Sequence, residues 1–248
     1  MFPALLPHPA LATLLAAAQA RHGSGILTLG APIAAPRGTP TGMPALDAIT
    51  GYNGLPQGRI TILRGHGTSG KMTLALAALT GLQRAHARPV CFIDISGACD
   101  MAALHARGLD TDALILARPQ GASAAITLVS DLLKAHAVSA IFVAGLTELL
   151  MDAPVRGMFA DVINHLAALT RQAGAHLIFT YDPTPPHTAH SAAFDTSAAM
   201  GMAGLVLACR ATRAWLDDFG RLGLQISVQC TRSRLGTAGQ ASIDLEDV

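Results

Sequence analysis

Charged residues are scarce in this sequence: Asp, Glu, Lys and Arg make up 13% of its 248 residues, and aromatic residues only 4%. Seventeen Lys and Arg stand against 16 Asp and Glu, so the net charge of +1 excludes a global basic field that would attract nucleic acid. Any DNA binding would therefore be local. Hydrophobic residues make up 51%, which indicates either a surface covered by a partner or an alanine-rich monomer.

Cysteine is also sparse, and its spacing argues against two kinds of site. The four cysteines are Cys91, Cys99, Cys209 and Cys230. They form no C-x-x-C pair and have no histidine at zinc-finger spacing, so the sequence predicts neither a metal site nor a disulfide framework. This usage favours a reducing cytoplasm. No apolar run is long enough to predict a membrane span.

The N-terminal residues are apolar but do not have the pattern of a secretory signal. They lack a basic segment and contain Pro3, Pro7 and Pro9. Residues 10–22 have the composition of a helix, and Gly25–Leu29 resembles a short strand. We therefore expect a short N-terminal arm, over residues 1–37, with a helix and a strand.

The remaining residues, 38–248, are predicted to form one core domain. From Arg59 onward, apolar β-branched runs alternate with longer helical patterns. This alternation predicts an α/β fold with a mostly parallel, twisted sheet, helices on both faces and antiparallel strands at the C-terminal end. The segment Pro183–Gly204 is rich in Pro, Ser, Thr and Ala, and is predicted to be a long, mobile loop.

The segment GHGTSGKMTL, residues 65–74, has the pattern of a phosphate-binding loop. Gly65, Gly70 and Lys71 match G-x-x-x-x-G-K, which places backbone N–H groups and a lysine around phosphates. The loop lies between a predicted strand and a predicted helix, as this pattern requires. The alternative is a Gly-rich turn that binds no ligand.

The position after the lysine departs from the pattern, because Met72 replaces the usual Ser or Thr. That hydroxyl normally binds Mg²⁺, whereas a thioether is a soft, weak ligand for a hard cation. Thr73 points about 100° further round the helix and does not simply replace it. The sequence therefore argues against Mg²⁺ at this loop.

Longer segments resemble the bacterial RecA recombinases. They are PTGMPALDAITGYNGLPQGRITILRGHGTSGKMTLAL, CFIDISGACD, GLDTDALILARPQG and FGRLGLQISVQCTRSRLGTAGQASIDL. Their order and spacing are specific to that family, and nearly the whole chain is covered, although we expect no counterpart of the family's C-terminal domain. The resemblance implies a RecA-like P-loop core, ATP as ligand and an N-terminal arm that docks on a neighbouring subunit. The nucleotide-binding positions it implies are Gly65, Gly67, Thr68, Ser69, Gly70, Lys71, Met72 and Thr73.

The residues expected from the family for hydrolysis are replaced. Ser96 stands at the position of the catalytic glutamate, and Ala144 at that of the aspartate that binds Mg²⁺ through water. Tyr181 and Asp182 stand where the family has the Asn-Gln pair that senses the γ-phosphate. Because a hydroxyl cannot act as a carboxylate base, we assign no catalytic residue, and rapid ATP hydrolysis is not expected.

Two further groups of positions concern contacts with an adjacent subunit and with DNA. Arg232 and Arg234 match two family lysines that reach the ATP of the adjacent subunit; the alternative is two solvated residues on one strand face. The DNA-facing loops correspond to Met151–Met158, with Arg156 as its cation, and to Pro183–Gly204, with His187 and His190. So few cations predict only weak binding of single-stranded DNA.

Three functions follow as hypotheses. The first is a RecA-like paralogue that binds ATP weakly, does not hydrolyse it, and serves as an accessory or assembly subunit in recombination or repair, with itself or a RecA-type recombinase as partner. The second is a DNA-dependent ATPase that has recruited Asp94 or Asp182 to hold Mg²⁺. The third is an oligomeric scaffold that binds neither nucleotide nor DNA.

Overall fold

The computed structural model describes residues 38–97, 99–183, 196–216, 222–234 and 239–245, together with five helical positions between 13 and 21. The chain divides into two units, Met1–Pro36 and Arg37–Val248. In the first unit the five described positions are helical and exposed, which agrees with the helix predicted over 10–22. The predicted strand Gly25–Leu29 lies outside the described residues.

The described part of the second unit contains ten strands and eight helices. The strands are β1 (Gly38–Thr39), β2 (Leu55–Pro56), β3 (Arg59–Arg64), β4 (Val90–Asp94), β5 (Leu114–Ala117), β6 (Ala140–Ala144), β7 (His176–Tyr181), β8 (Leu205–Leu216), β9 (Leu222–Ser233) and β10 (Gln240–Leu245). The helices are α1 (Pro44–Thr50), α2 (Lys71–Ala85), α3 (Met101–Ala106), α4 (Ala122–Lys134), α5 (Leu146–Met151), α6 (Ala153–Gly157), α7 (Phe159–Ala173) and α8 (Ser197–Met202). None of the described helices has the length and hydropathy needed to cross a membrane.

Eight of these strands form one sheet in the order β10-β9-β8-β3-β7-β6-β4-β5. The strands from β8 to β5 in this order are parallel, whereas β9 and β10 are antiparallel to their neighbours. The prediction of a mostly parallel sheet with antiparallel C-terminal strands is therefore confirmed. The carboxyl ends of parallel strands lie at the same edge of a sheet. The segments that follow β3, β4, β6 and β7 therefore meet at one edge.

The parallel strands are buried on both faces, because alternate side chains enter two separate cores. In β3, Ile62 packs with the core that contains α4 and α7, and Leu63 with the core that contains α2 and α3. In β6, Val143 and Phe142 divide between the two cores in the same way. Helices therefore cover both faces of the sheet, as the alternating pattern predicts.

The structure corrects the prediction for Pro183–Gly204. Residues 197–202 of this segment form α8, and Ala199 is fully buried in the core that contains α7. The helix is short and contains Gly201, so its composition gave no helical signal. Residues 184–195, which include His187 and His190, lie outside the described residues.

The region Met151–Met158, which the resemblance assigns to a DNA-facing loop, is mostly helical. It comprises the last residue of α5 and the short helix α6, which begins after Asp152. The Asp152 carboxylate accepts a hydrogen bond from the Val155 N–H at 3.2 Å, as an N-cap residue does. Arg156 is exposed and Val155 is buried, so this segment is partly packed against the core.

Gly81, inside α2, packs directly on another segment of backbone. A Cβ atom at this position would collide with the carbonyl of Thr41. Although alanine favours a helix more than glycine does, the collision outweighs this gain. We expect Gly81→Ala to lower the free energy of unfolding by roughly 1–2 kcal/mol in urea denaturation.

Gly201 in α8 provides the matched control, because a Cβ there would meet nothing within 4 Å. Gly201→Ala should leave stability unchanged or raise it by about 0.5–1 kcal/mol. Equal effects of the two substitutions would show that the contact with Thr41 does not limit stability.

Candidate functional site

The loop Gly65–Gly70 joins β3 to α2 at the carboxyl edge of the sheet. Its N-terminal end is fixed to the neighbouring strand, because the Gly65 N–H donates to the Tyr181 carbonyl at 3.0 Å. Gly70 is the N-cap of α2 in a left-handed conformation, with φ +78°. It has no side chain to accept from the first N–H groups of the helix, which leaves these groups available to an anion.

Thr68 and Ser69 form the turn of this loop. Thr68 is exposed, whereas Ser69 is buried with its hydroxyl against Gly65. No described group hydrogen-bonds the Ser69 hydroxyl. A side chain at residue 65 would displace it, which accounts for glycine at the start of the loop.

Lys71 and Asp182 form an ion pair at the loop. The Lys71 Nζ lies 3.2 Å from the Asp182 Oδ2 and 2.7 Å from the Gly67 carbonyl oxygen. The same Oδ2 accepts a hydrogen bond from the Gly67 N–H at 2.8 Å. The two side chains are 14% and 29% exposed. Two of the donors that define a phosphate loop are therefore bound to a carboxylate of the same chain.

Thr147, at the start of α5, holds the backbone of Asp182. Its hydroxyl donates to the Asp182 carbonyl at 3.0 Å and accepts from the Asp182 N–H at 3.2 Å. Two residues before Asp182, the Thr180 hydroxyl accepts from the Gly145 N–H at 3.1 Å. These contacts fix the end of β7 against the end of β6, and the sequence analysis missed them because nothing in the sequence pairs residues 147 and 182.

Three of the replaced family positions, Met72, Ser96 and Ala144, line one cavity of about 200 Å³ beside the first turn of α2. Met72 is 40% exposed and Ala144 is buried. A thioether and a methyl group provide no ligand for a hard cation. Within the described residues, no group of three His, Cys, Asp or Glu side chains could hold a metal ion.

Asp94 also lines this cavity, but its carboxylate is already bound. It accepts hydrogen bonds from the Cys99 N–H at 2.8 Å, the Gly97 N–H at 2.9 Å and the Ser96 hydroxyl at 3.0 Å, and it pairs with Arg118 at 3.5 Å. Burial alone would raise the pKa of the Asp94 carboxyl, but these donors lower it below its usual value. The carboxylate therefore organises the turn after β4.

A larger cleft, of about 760 Å³, lies on the other side of the loop. One wall is formed by the loop and the start of α2, and the other by the hairpin of β8 and β9, including Arg213, Leu222 and Leu224. Its volume is within the range of small-molecule sites. The arrangement combines a loop that has the phosphate-binding pattern with an adjoining, largely apolar wall.

Arg232 and Arg234 lie at the opposite end of the sheet from this loop. The Arg232 guanidinium donates to the Gly201 carbonyl at 3.0 Å, and the Arg234 N–H donates to the Gly204 carbonyl at 3.3 Å. Gly204 in turn bonds to Ile60 near the start of β3, whereas the loop follows the end of that strand. The two arginines therefore lie away from the phosphate loop of their own chain.

Two more arginines lie beside them. Burial lowers the pKa of Arg59, and the positive charges of Arg234 and Arg171 lower it further. None of these four arginines forms an ion pair with an acidic side chain among the described residues. In the part of the chain that the structure describes, this end of the sheet therefore carries four arginines without an ion-paired carboxylate.

The sequence matches known proteins over most of its length. The family model described as the RecA N-terminal domain matches residues 10–177. Protein RecA of Cutibacterium acnes is 36% identical over 157 residues, which are 61% of this chain and 44% of that protein. Protein RecA of Acidothermus cellulolyticus is 34% identical over 154 residues, 61% and 44% of the two chains. Protein RecA of Mycoplasma genitalium is 36% identical over 121 residues, 49% and 35% of the two chains.

The aligned part spans less than half the length of these curated relatives. The family model, however, covers more than half of this chain and includes the phosphate loop, β3 to β6 and most of the helices. The parallel sheet and the position of the loop agree with that match. The resemblance seen in the sequence is confirmed, and the chain belongs to the RecA family.

Proposed function

We propose that this chain is a RecA-family subunit that binds nucleotide weakly, does not hydrolyse ATP, and acts by assembling with itself or with a RecA-type recombinase in DNA recombination or repair. The observation that carries the proposal is the Lys71–Asp182 ion pair beside a cavity lined by Met72, Ser96 and Ala144. The positions from which family members take a metal hydroxyl, a metal carboxylate and a base hold none of these groups. Loss of any one such group typically slows a reaction by orders of magnitude.

A nucleotide would bind this site through its phosphates and not through a metal ion. The N–H groups of the loop and Lys71 would hold the phosphates, and the cleft beside β8 and β9 would receive the remainder of the nucleotide. Mg²⁺ does not fit, because Met72 and Ala144 replace its ligands. Nucleotide binding would therefore be independent of Mg²⁺.

Assembly is supported by the charge distribution. Arg232 and Arg234 lie away from their own phosphate loop, and Arg59 and Arg171 add to the positive charge there. In a head-to-tail arrangement this surface would meet the phosphate loop of the next subunit, where arginine binds phosphate well. Single-stranded DNA would bind weakly, since Arg156 is the exposed cation of its region.

The proposal predicts a specific result when the purified protein is mixed with a RecA-type recombinase. Alone, it should turn over ATP at least roughly a hundredfold more slowly than the recombinase. In the mixture it should alter the recombinase's ATPase rate and filament growth, measured by phosphate release and light scattering. Replacing Arg232 and Arg234 together by alanine should abolish the effect.

Arg84→Ala is the matched control, since Arg84 is exposed on α2 and is not one of the four arginines of this surface. It should behave as the unmodified protein does. The proposal is wrong if the protein alone hydrolyses ATP rapidly and Lys71→Ala stops it. It is also wrong if the protein neither self-associates nor affects the recombinase.

A scaffold that uses no nucleotide is the second candidate, and the occupation of Lys71 by Asp182 favours it. It predicts clear self-association together with no increase in melting temperature on addition of any nucleotide. A nucleotide-dependent increase would exclude this candidate.

A further inference from the structure

The carboxylate of Asp182 is bound to two donors that the loop pattern assigns to a phosphate. It accepts from the Gly67 N–H at 2.8 Å and from the Lys71 ammonium at 3.2 Å. Both donors belong to the loop whose sequence pattern is typical of phosphate binding. An ionised acceptor gives short, strong bonds with such donors. Asp182 thus supplies from within the chain the charge that a ligand would otherwise supply.

The contact with Lys71 indicates which phosphate would meet this carboxylate. In loops of this type the backbone N–H groups surround the α- and β-phosphates, and the lysine reaches the β- and γ-phosphates. Asp182 engages the lysine and one N–H at the start of the loop. At the other end, α2 has neither a capping side chain nor an acidic residue in its first turn. The terminal phosphate of a triphosphate is therefore the group that would compete with Asp182.

Hydrogen bonds hold the backbone of Asp182 and of the residue before it. Thr147 binds both the N–H and the carbonyl of Asp182, at 3.2 and 3.0 Å. The Gly65 N–H binds the preceding carbonyl, that of Tyr181. A terminal phosphate would have to displace the side chain alone, or lie beside it as a second negative charge.

We infer that Asp182 acts as a tethered anion that selects against a terminal phosphate, so that the loop takes nucleoside diphosphates in preference to triphosphates. This inference rests on the proposed function insofar as the loop must retain nucleotide binding. A diphosphate leaves the Lys71–Asp182 pair in place and uses the remaining N–H groups. A triphosphate meets a like charge, which is unfavourable even at a partly exposed site.

Calorimetric titration with ADP and with ATP tests the inference, without Mg²⁺ and at fixed ionic strength. The unmodified protein should bind ADP about tenfold more tightly than ATP. Asp182→Asn, which keeps the size of the side chain and removes its charge, should raise the affinity for ATP about tenfold and change that for ADP little. Asp161→Asn removes an exposed carboxylate on α7 and should change neither affinity. Thermal melting should show that each variant is folded.

The outcomes separate this inference from the proposed function. Equal or tighter binding of ATP by the unmodified protein overturns the inference, as does an ADP-to-ATP ratio that Asp182→Asn leaves unchanged. Neither result affects the assembly experiment. If no variant binds either nucleotide, the inference falls together with the nucleotide-binding part of the proposed function, while assembly with a recombinase would still be measured independently.

Discussion

Replacing Asp94 by alanine is expected to lower the free energy of unfolding by roughly 2–4 kcal/mol. The side chain is 2% exposed, and its two oxygens accept from two backbone N–H groups and the Ser96 hydroxyl. Alanine would leave these donors without an acceptor. Each unsatisfied donor in a buried position costs about 1–3 kcal/mol, and the turn between β4 and α3 would lose its central contact.

Arg118 contributes less to this loss. Its side chain is 51% exposed and lies 3.5 Å from the carboxylate, so solvent screens the pair. Because the pKa of Asp94 is lowered in the folded state, its stabilising contribution is present above the pKa of the unfolded chain. It is lost only as the pH falls through the lowered folded pKa.

Denaturation in urea at neutral pH measures the effect, and Asp100→Ala is the comparison. Asp100 is exposed and caps α3 through one hydrogen bond to the Ala102 N–H at 2.9 Å, so its loss should cost only about 1 kcal/mol. Asp94→Asn, which keeps one acceptor oxygen, should fall between the two. A loss at Asp94→Ala no greater than at Asp100→Ala would refute this account of the turn.

The folded protein is expected to lose roughly 3 kcal/mol of stability through His176 as the pH falls from 7 to 4. His176, at the start of β7, is 1% exposed. Its Nε2 lies 3.0 Å from the Thr39 hydroxyl, which lies 3.3 Å from the Nε2 of His86. Burial, with a smaller effect of His86, lowers the pKa of His176 from 6.5 to about 4.

The direction of this pH dependence follows from proton binding by His176 in the folded and the unfolded chain. Above pH 6.5 the ring is neutral whether the chain is folded or unfolded, so it adds no pH dependence. Between pH 6.5 and about 4 the unfolded chain takes up a proton that the folded chain does not. Stability therefore rises with pH across this window and is lost as the pH falls through it. His86, whose pKa burial and Arg88 also lower, acts in the same direction.

Urea denaturation at several pH values should be carried out on the unmodified protein and on His176→Gln. Glutamine offers an amide to Thr39 but does not titrate, so the difference in free energy between the two proteins should change by about 3 kcal/mol from pH 7 to pH 4. His165→Gln, at an exposed position on α7, should leave the pH profile unchanged. Parallel profiles for the unmodified protein and His176→Gln would contradict the prediction.

Several parts of the fold were predictable from local pattern alone. The strands β3, β4, β6 and β7 are short apolar runs bounded by turn residues, and α2, α4 and α7 have long helical patterns. Short helices were missed: α3, α5, α6 and α8 have five or six residues. Isolated helices of this length are unstable, so tertiary contacts rather than composition decide that they form.

The chemistry of the phosphate loop was also only partly predictable from the sequence. Its sequence predicts phosphate binding from residues 65–71, and the resemblance implied losses at Met72, Ser96 and Ala144. That these three residues line one cavity depends on α2, β4 and β6 meeting at the same edge of the sheet.

The amino-acid sequence by itself determined the α/β class, the phosphate-loop pattern and the family, because these depend on periodicity and on residue types at fixed spacing. Only the tertiary structure decided what occupies the loop. Lys71 and Asp182 are 111 residues apart in the chain, and no local pattern links them. They meet because β3 and β7 pair in parallel with Arg64 opposite Tyr181, which brings the residues that follow both strands to the same edge of the sheet.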